Sequence, residues 1–204
     1  MIVLSAYRFR LEPNSQQSDR LSQFAGCARL VWNKNLELQK GQLDQRKKVF
    51  SYAESCKALT QLKREVSFLK DVHSQPLQQV LKDQDLAMRD FLAGSKGMPR
   101  FKKKGRHDSF RFPQGVKVEQ KKIYLPKIGW VKFRKSREIE GTIKNVTVSR
   151  TAGKWYVSIQ VEREIEEPKH PSVTVIGIDL GVALFATLSD GQAFMPVDSF
   201  KVCQ

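Results

Sequence analysis

Cysteine and histidine are scarce, three of each among 204 residues, and neither is spaced for chemistry. Cys27, Cys56 and Cys203 form no Cys-x-x-Cys pair, which excludes a disulfide scaffold and a zinc ribbon; Cys27 and Cys56 read as small apolar residues within helical patterns. His73, His107 and His170 fall in turns or linkers, so no hydrolytic Ser/His/Asp or Cys/His arrangement can be built on them. No apolar run reaches about 18 residues and no charged-then-apolar leader opens the chain, which argues against membrane spanning and secretion and leaves the cytoplasm as the expected compartment. There is no internal repeat and no long low-complexity tract.

What the chain has is positive charge. Thirty-six Lys and Arg against twenty-one Asp and Glu leave +15. Between Ser95 and Arg137 there are fifteen basic and two acidic residues, a net of +13, so one stretch carries nearly all of the imbalance. Such a stretch suits a polyanion, with counterion release supplying affinity and salt dependence; the alternative is a solubilising surface. Lys102, Lys103, Lys104 and Arg106 lead the candidates, because a run of cations gains nothing from burial. Arg111, Lys117, Lys121, Lys122, Lys132, Arg134 and Lys135 are further candidates for contact with a phosphate backbone. Phe101, Phe110, Phe112, Tyr124, Trp130 and Phe133 interleave these cations; base stacking uses that mixture, although strand aromatics most often serve as core.

The hydrophobic pattern divides the chain. Ile2–Phe9 alternates as a strand and ends at Leu11-Glu-Pro13, after which Asn14 or Ser15 caps a helix. Leu21, Phe24, Ala28, Val31 and Trp32 recur at helical spacing. Ser51-Tyr-Ala-Glu54 is a capping box for a second helix that turns Leu59 and Leu62 inward, and Ser74-Gln-Pro76 opens a third along Leu77, Leu81, Met88 and Phe91, ended by Gly94 and Gly97. Short strands follow at 109–112, 121–125, 130–134, 142–150 and 154–163, with Thr151-Ala-Gly153 as a hairpin turn. An all-β unit of this size is expected to be a barrel or sandwich, and strand 2–9 has no other sheet to join. Glu164–Pro171, acidic and then proline-bearing, reads as a linker.

Beyond it, Val173-Thr-Val-Ile-Gly-Ile-Asp179-Leu-Gly181 places one carboxylate in an apolar strand, and Asp190-Gly191 closes a hairpin. An unpaired Asp in a buried strand costs several kcal/mol unless it is hydrogen-bonded or holds a cation. Three readings stand: a metal ligand of an RNase H-like nuclease, the phosphate loop of an actin-type ATPase, or a structural Asp bonded within its hairpin. Val182 in place of a hydroxyl after Gly181, and 178 residues ahead of Asp179, favour the first.

Leu11-Glu-Pro13, Gly26-Cys-Ala-Arg29-Leu-Val-Trp32-Asn33, Leu59-Thr-Gln-Leu-Lys63, Pro76-Leu-Gln78-Gln79-Val-Leu81, Pro99-Arg-Phe101-Lys102, Leu125-Pro126-Lys-Ile-Gly129-Trp130-Val-Lys132 and Gly177-Ile-Asp179-Leu-Gly181 occur in one order. That series resembles the TnpB (OrfB) proteins of bacterial insertion sequences, RNA-guided DNA endonucleases related to type V CRISPR effectors, from about Tyr7 to Gly191. The resemblance implies an α+β fold: a helical recognition lobe (13–94) inserted into a wedge-type β-barrel (1–12 plus 95–165), a linker (166–171) and the first strands of an RNase H-like RuvC domain (172–204). It implies a structured guide RNA and a double-stranded DNA target as partners, with Tyr52, Ser74, Gln75 and Gln78 reading a short DNA motif, and a bacterial, nucleoid-associated setting. Asp179 would be the first RuvC carboxylate and a magnesium ligand. The second Glu, the third Asp and the zinc-binding Cys-x-x-Cys pairs of the family would lie beyond Gln204, and Ala183 stands where the family commonly has lysine. The expectation is therefore a C-terminally truncated protein that binds nucleic acid and is catalytically incomplete. It would hold Mg2+ unproductively, if at all, and have no zinc site. The alternative is a non-cleaving binding module or repressor of its own element.

Overall fold

The computed structural model of the chain describes residues 1–166 and 175–196. It divides into two units, Met1–Ile165 and Glu166–Gln204. The expected linker falls mostly, and His170, Val173, Asp198 and Cys203 entirely, outside the described residues.

The first unit opens with strand β1 (Ile2–Glu12) and helix α1 (Ser15–Asp44). Pro13 ends the strand, since it has no N–H to give a ladder. Asn14 then caps the helix: its side chain accepts the Gln17 N–H at 2.8 Å, and the Gln17 side chain accepts the Asn14 N–H at 3.1 Å. The buried stripe of α1 runs past Val31 through Asn35, Leu36 and Gln39, so the helix is longer than its apolar periodicity alone indicates. Polar side chains extend it. Gln39 donates to the Phe50 carbonyl at 2.9 Å and accepts the Phe50 N–H at 2.8 Å, anchoring the following loop.

Ser51 and Glu54 form the capping box of α2 (Tyr52–Glu65). A 3-10 turn (Ser67–Lys70) leads into α3 (Ser74–Leu92), whose N-cap is His73. Across the helices, buried Asn35 donates to Gln84 at 2.6 Å and Gln84 donates to the Trp32 carbonyl at 2.9 Å, which fixes α3 against α1 through bonds that apolar packing lacks.

Strands β2 (Ser109–Phe112), β3 (Lys117–Glu119), β4 (Lys122–Leu125), β5 (Gly129–Phe133), β6 (Thr142–Thr151) and β7 (Lys154–Glu164) join β1 in a seven-stranded sheet of order β2-β6-β7-β1-β5-β4-β3. Each pairing is antiparallel. β1 lies centrally, paired with β7 along Ile2–Arg10 and with β5 at Leu11 and Glu12. Phe9, Leu11, Phe110, Phe112, Ile123, Val131, Phe133, Val146, Val148, Trp155, Val157 and Ile159 face a core completed by Leu21, Phe24 and Val31 of α1 and Leu77 and Leu81 of α3. Cys27 belongs to this core, and burial pushes its thiol up to about 11.

The described residues of the second unit form three short antiparallel strands, β8 (Ile178–Asp179), β9 (Ala186–Leu188) and β10 (Ala193–Phe194), in consecutive order. Asp190-Gly191 forms the β9–β10 turn, with Gly191 at φ +91° and Asp190 accepting the Gln192 N–H at 3.0 Å. The expected buried strand through Asp179 is corrected: among its described residues only Ile178 and Asp179 are paired, and Val175, Ile176, Ile178 and Asp179 are exposed. Residues 175–196 contain no helix; Ala186 of β9 is buried, whereas Phe194 of β10 is exposed. No described helix is long and apolar enough to cross a membrane.

Candidate nucleic-acid interface

The basic loop between α3 and β2 is held by one face of α1. Arg29, Trp32 and Asn33 are three and four residues apart and so point the same way. Asn33 grips the backbone of Lys102, donating to its carbonyl at 3.0 Å and accepting its N–H at 2.8 Å. The Trp32 indole donates to the Arg100 carbonyl at 2.9 Å. Arg29 pairs with Asp108 at 3.0 Å, and Asp108 accepts the Gly105 N–H at 3.2 Å. Two of the sequence motifs, Arg29-Leu-Val-Trp32-Asn33 and Pro99-Arg-Phe101-Lys102, are thus partners in space.

The pinned loop presents Lys103, Lys104 and Arg106 to solvent, with no ion pair to any described residue. Lys102 differs from the expectation that this run avoids burial. Its ammonium lies 4.2 Å from the Trp32 ring centroid, and burial lowers its pKa against the opposing pull of Asp83. Stacking on the indole recovers part of the desolvation cost, which the sequence pattern cannot reveal. Arg111 is paired with Asp83 of α3, Arg134 with Glu12, and Lys135 with Glu138. The Arg134 hydrogen bond is the main reason the Glu12 carboxyl titrates below its ordinary value.

Lys117, Lys121, Lys122 and Lys132 are exposed on β3, β4, β5 and their turns, again with no ion pair among the described residues. The aromatics sort cleanly: Phe110, Phe112 and Phe133 are core, whereas Phe101 and Trp130 are exposed and Tyr124 is half-buried.

The start of α3 gathers a second group. Ser74 and Gln78 are exposed and Gln75 is half-buried. Lys63, from the last turn of α2, donates to the Ser74 hydroxyl at 2.9 Å. Lys127, at the tip of the β4–β5 hairpin, donates to the Lys70 carbonyl at 2.7 Å and the Val72 carbonyl at 3.3 Å. Burial, and then the charge of Lys127, lower the Lys63 pKa. Burial followed by Lys127 and Lys63 lowers that of His73. Sequence reading passed over Lys63 and Lys127, though each sits inside a recognised motif, Leu59-Thr-Gln-Leu-Lys63 and Leu125-Pro126-Lys-Ile-Gly129. Tyr52 is not in this group. It lies at the other end of α2, eleven residues before Lys63, or about 16 Å along a helix axis; burial and its contact with Cys56 raise its pKa.

Among the described residues no three His, Cys, Asp or Glu side chains, Asp179 included, gather where they could hold a metal ion. A two-metal site requires several converging carboxylates, so the described donor set does not fit the magnesium pair implied for Asp179.

Residues 1–48 match the family model described as a helix-turn-helix domain, of the OrfB/IS605 type. In this chain those residues form strand β1 and one uninterrupted helix α1. InsQ of Escherichia coli (strain K12), whose name describes an RNA-guided DNA endonuclease, is 46% identical over 202 residues, 97% of this chain and 50% of that protein. A similarly named protein of Streptomyces pristinaespiralis is 36% identical over 203 residues, 93% of this chain and 49% of that one. The chain belongs to the TnpB/OrfB family. It spans about half the length of these relatives. In Mycobacterium tuberculosis a further protein named as an RNA-guided DNA endonuclease is 30% identical over 112 residues, 47% of this chain and 24% of its own length.

Proposed function

We propose that this TnpB/OrfB chain binds a structured guide RNA and a double-stranded DNA target and does not by itself assemble the cleavage site. In this reading the seven-stranded sheet is the wedge-type barrel, α1 to α3 are the recognition lobe, and β8–β10 begin a RuvC domain whose magnesium-dependent chemistry needs carboxylates besides Asp179. The carrying observation is that the +13 stretch is not spread over the surface: Lys103, Lys104 and Arg106 are displayed on a loop that α1 clamps at three points. Clamping cations that have no counter-ion among the described residues costs electrostatic energy, which a phosphate backbone would return. Ser74, Gln75 and Gln78 sit where Lys63, Lys127 and the α3 N-terminus concentrate positive potential, suited to duplex phosphates beside base edges. The setting is a bacterial cytoplasm, at the nucleoid.

Charge reversal tests the assignment. Replacing Lys103, Lys104 and Arg106 by Glu is expected to weaken RNA binding by about tenfold or more at moderate salt and to flatten the salt slope. The same change at exposed Lys47, Lys48 and Lys57 is expected to have a much smaller effect. Equal losses in filter-binding titrations, or binding insensitive to salt, would remove the support.

A further inference from the structure

The outer face of the β3–β4–β5 sheet carries a feature that phosphate binding leaves unexplained. In register across the strands lie Trp130, Tyr124 and Lys117 in one row and Glu12, Lys132, Lys122 and Glu119 in the next. Trp130 is 38% exposed, whereas the strand aromatics Phe112 and Phe133 are 0% and 2% exposed. A large ring left more than a third exposed on a strand forfeits part of the burial that aromatics ordinarily supply to a core. Tyr124 stands beside it, ring centroids 5.5 Å apart, and widens the aromatic surface.

The charges point the same way. Lys122 and Lys132 are direct cross-strand partners, an arrangement that destabilises a sheet unless an anion lies between or above them. Glu12 does not neutralise them alone, because Arg134 holds its carboxylate at 2.5 Å. Glu119 lies opposite Lys122 at the sheet edge, and Lys117 has no ion pair among the described residues. The platform is also rigid: Gln17 of α1 donates to the Trp130 carbonyl at 2.8 Å, and Lys127 ties the adjoining turn to the 3-10 segment.

We propose that this face is a stacking site for unpaired nucleotides of RNA, with a base on Trp130 and flanking phosphates on Lys117, Lys122 and Lys132. A duplex hides the faces of its bases, so an exposed ring can take only a loop, a bulge or a single-stranded end. The proposal rests on the RNA-binding reading above and adds to it which part of an RNA is bound, and where.

The test uses the full chain and three probes of equal length: a single-stranded RNA, its RNA duplex, and a DNA strand of the same sequence. Trp130→Ala is expected to lower affinity for the single-stranded RNA about tenfold, within what stacking is worth per base, and to leave the duplex unchanged. Trp130→Phe is expected to retain most of the affinity, and wild-type tryptophan fluorescence to fall on adding the single strand but not in Trp130→Phe. Unchanged single-strand affinity in Trp130→Ala, an equal loss on the duplex, or a loss confined to the DNA strand overturns the stacking site while leaving RNA binding intact. Failure of the wild type to bind any RNA overturns both.

Discussion

Single side chains in this protein do work that residue type alone conceals. Trp32, which by spacing belongs to a core stripe, and its neighbour Asn33 spend their polar atoms on the backbone of a loop nearly 70 positions away, Asn33 reaching Lys102 across a separation of 69 residues. His73, which by sequence falls in a turn, is the N-cap of α3 and accepts the Gln75 N–H on Nδ1 at 3.4 Å. That bond requires Nδ1 to be unprotonated. Burial, Lys127 and Lys63 all lower its pKa in the fold, so in the interval between the folded value and the ordinary one, near 6.5, the unfolded chain binds the extra proton and stability rises with pH. Acidification from about pH 7.5 to 5.5 should therefore lower the melting temperature of the wild type more than that of His73→Asn, whose amide caps a helix without titrating. Identical pH profiles would mean the cap carries no titratable stability.

Among the elements, the β6–β7 hairpin offers the sharpest test of local backbone chemistry. Thr151 pairs with Lys154, leaving Ala152 and Gly153 as a two-residue turn with φ of +48° and +74°. Both signs suit the right-handed twist of the strands, but alanine is a poor occupant of the left-handed region. Ala152→Asn should stabilise the protein by about 0.5–1 kcal/mol, a rise of a few degrees in melting temperature; an unchanged or lower value would show that strain at this turn is relieved elsewhere. β3 shows the opposite case. Its three residues, Lys117–Glu119, give no alternation long enough to recognise, and the strand exists because β4 offers it an edge.

At the scale of the whole molecule, the two units differ in what their side chains bury. The first has a core shared by sheet and helices; the second leaves Asp179 exposed on a three-stranded sheet. Asp179→Asn should accordingly shift stability by no more than about 0.5 kcal/mol, as exposed substitutions do, and the isolated chain should show no magnesium-dependent cleavage of DNA, one carboxylate leaving most of a cation's coordination to water. A marked loss of stability would restore the reading of Asp179 as a structural acceptor within its hairpin. Cleavage by the wild type, abolished in Asp179→Asn, would show that the chain completes a site on its own.

What the sequence determined by itself was local: a cap at Asn14 or Ser15 and another at Ser51, the periodic stripes of α1 and α3, the alternation of β6 and β7, the Asp190-Gly191 turn, and the concentration of cations between Ser95 and Arg137. Each depends on neighbours a few positions apart, and the ordered motifs then pointed to the family. Which cations are displayed and which are engaged was decided only in three dimensions. Asp83 and Glu12 select Arg111 and Arg134 as structural partners, Trp32 draws Lys102 out of water, and the fold brings Lys63 and Lys127 to the same helix start. The alternation of a strand tells two faces apart but not which one the core will cover; the packing of α1 and α3 settled that, burying Phe110, Phe112 and Phe133 and leaving Trp130 in solvent.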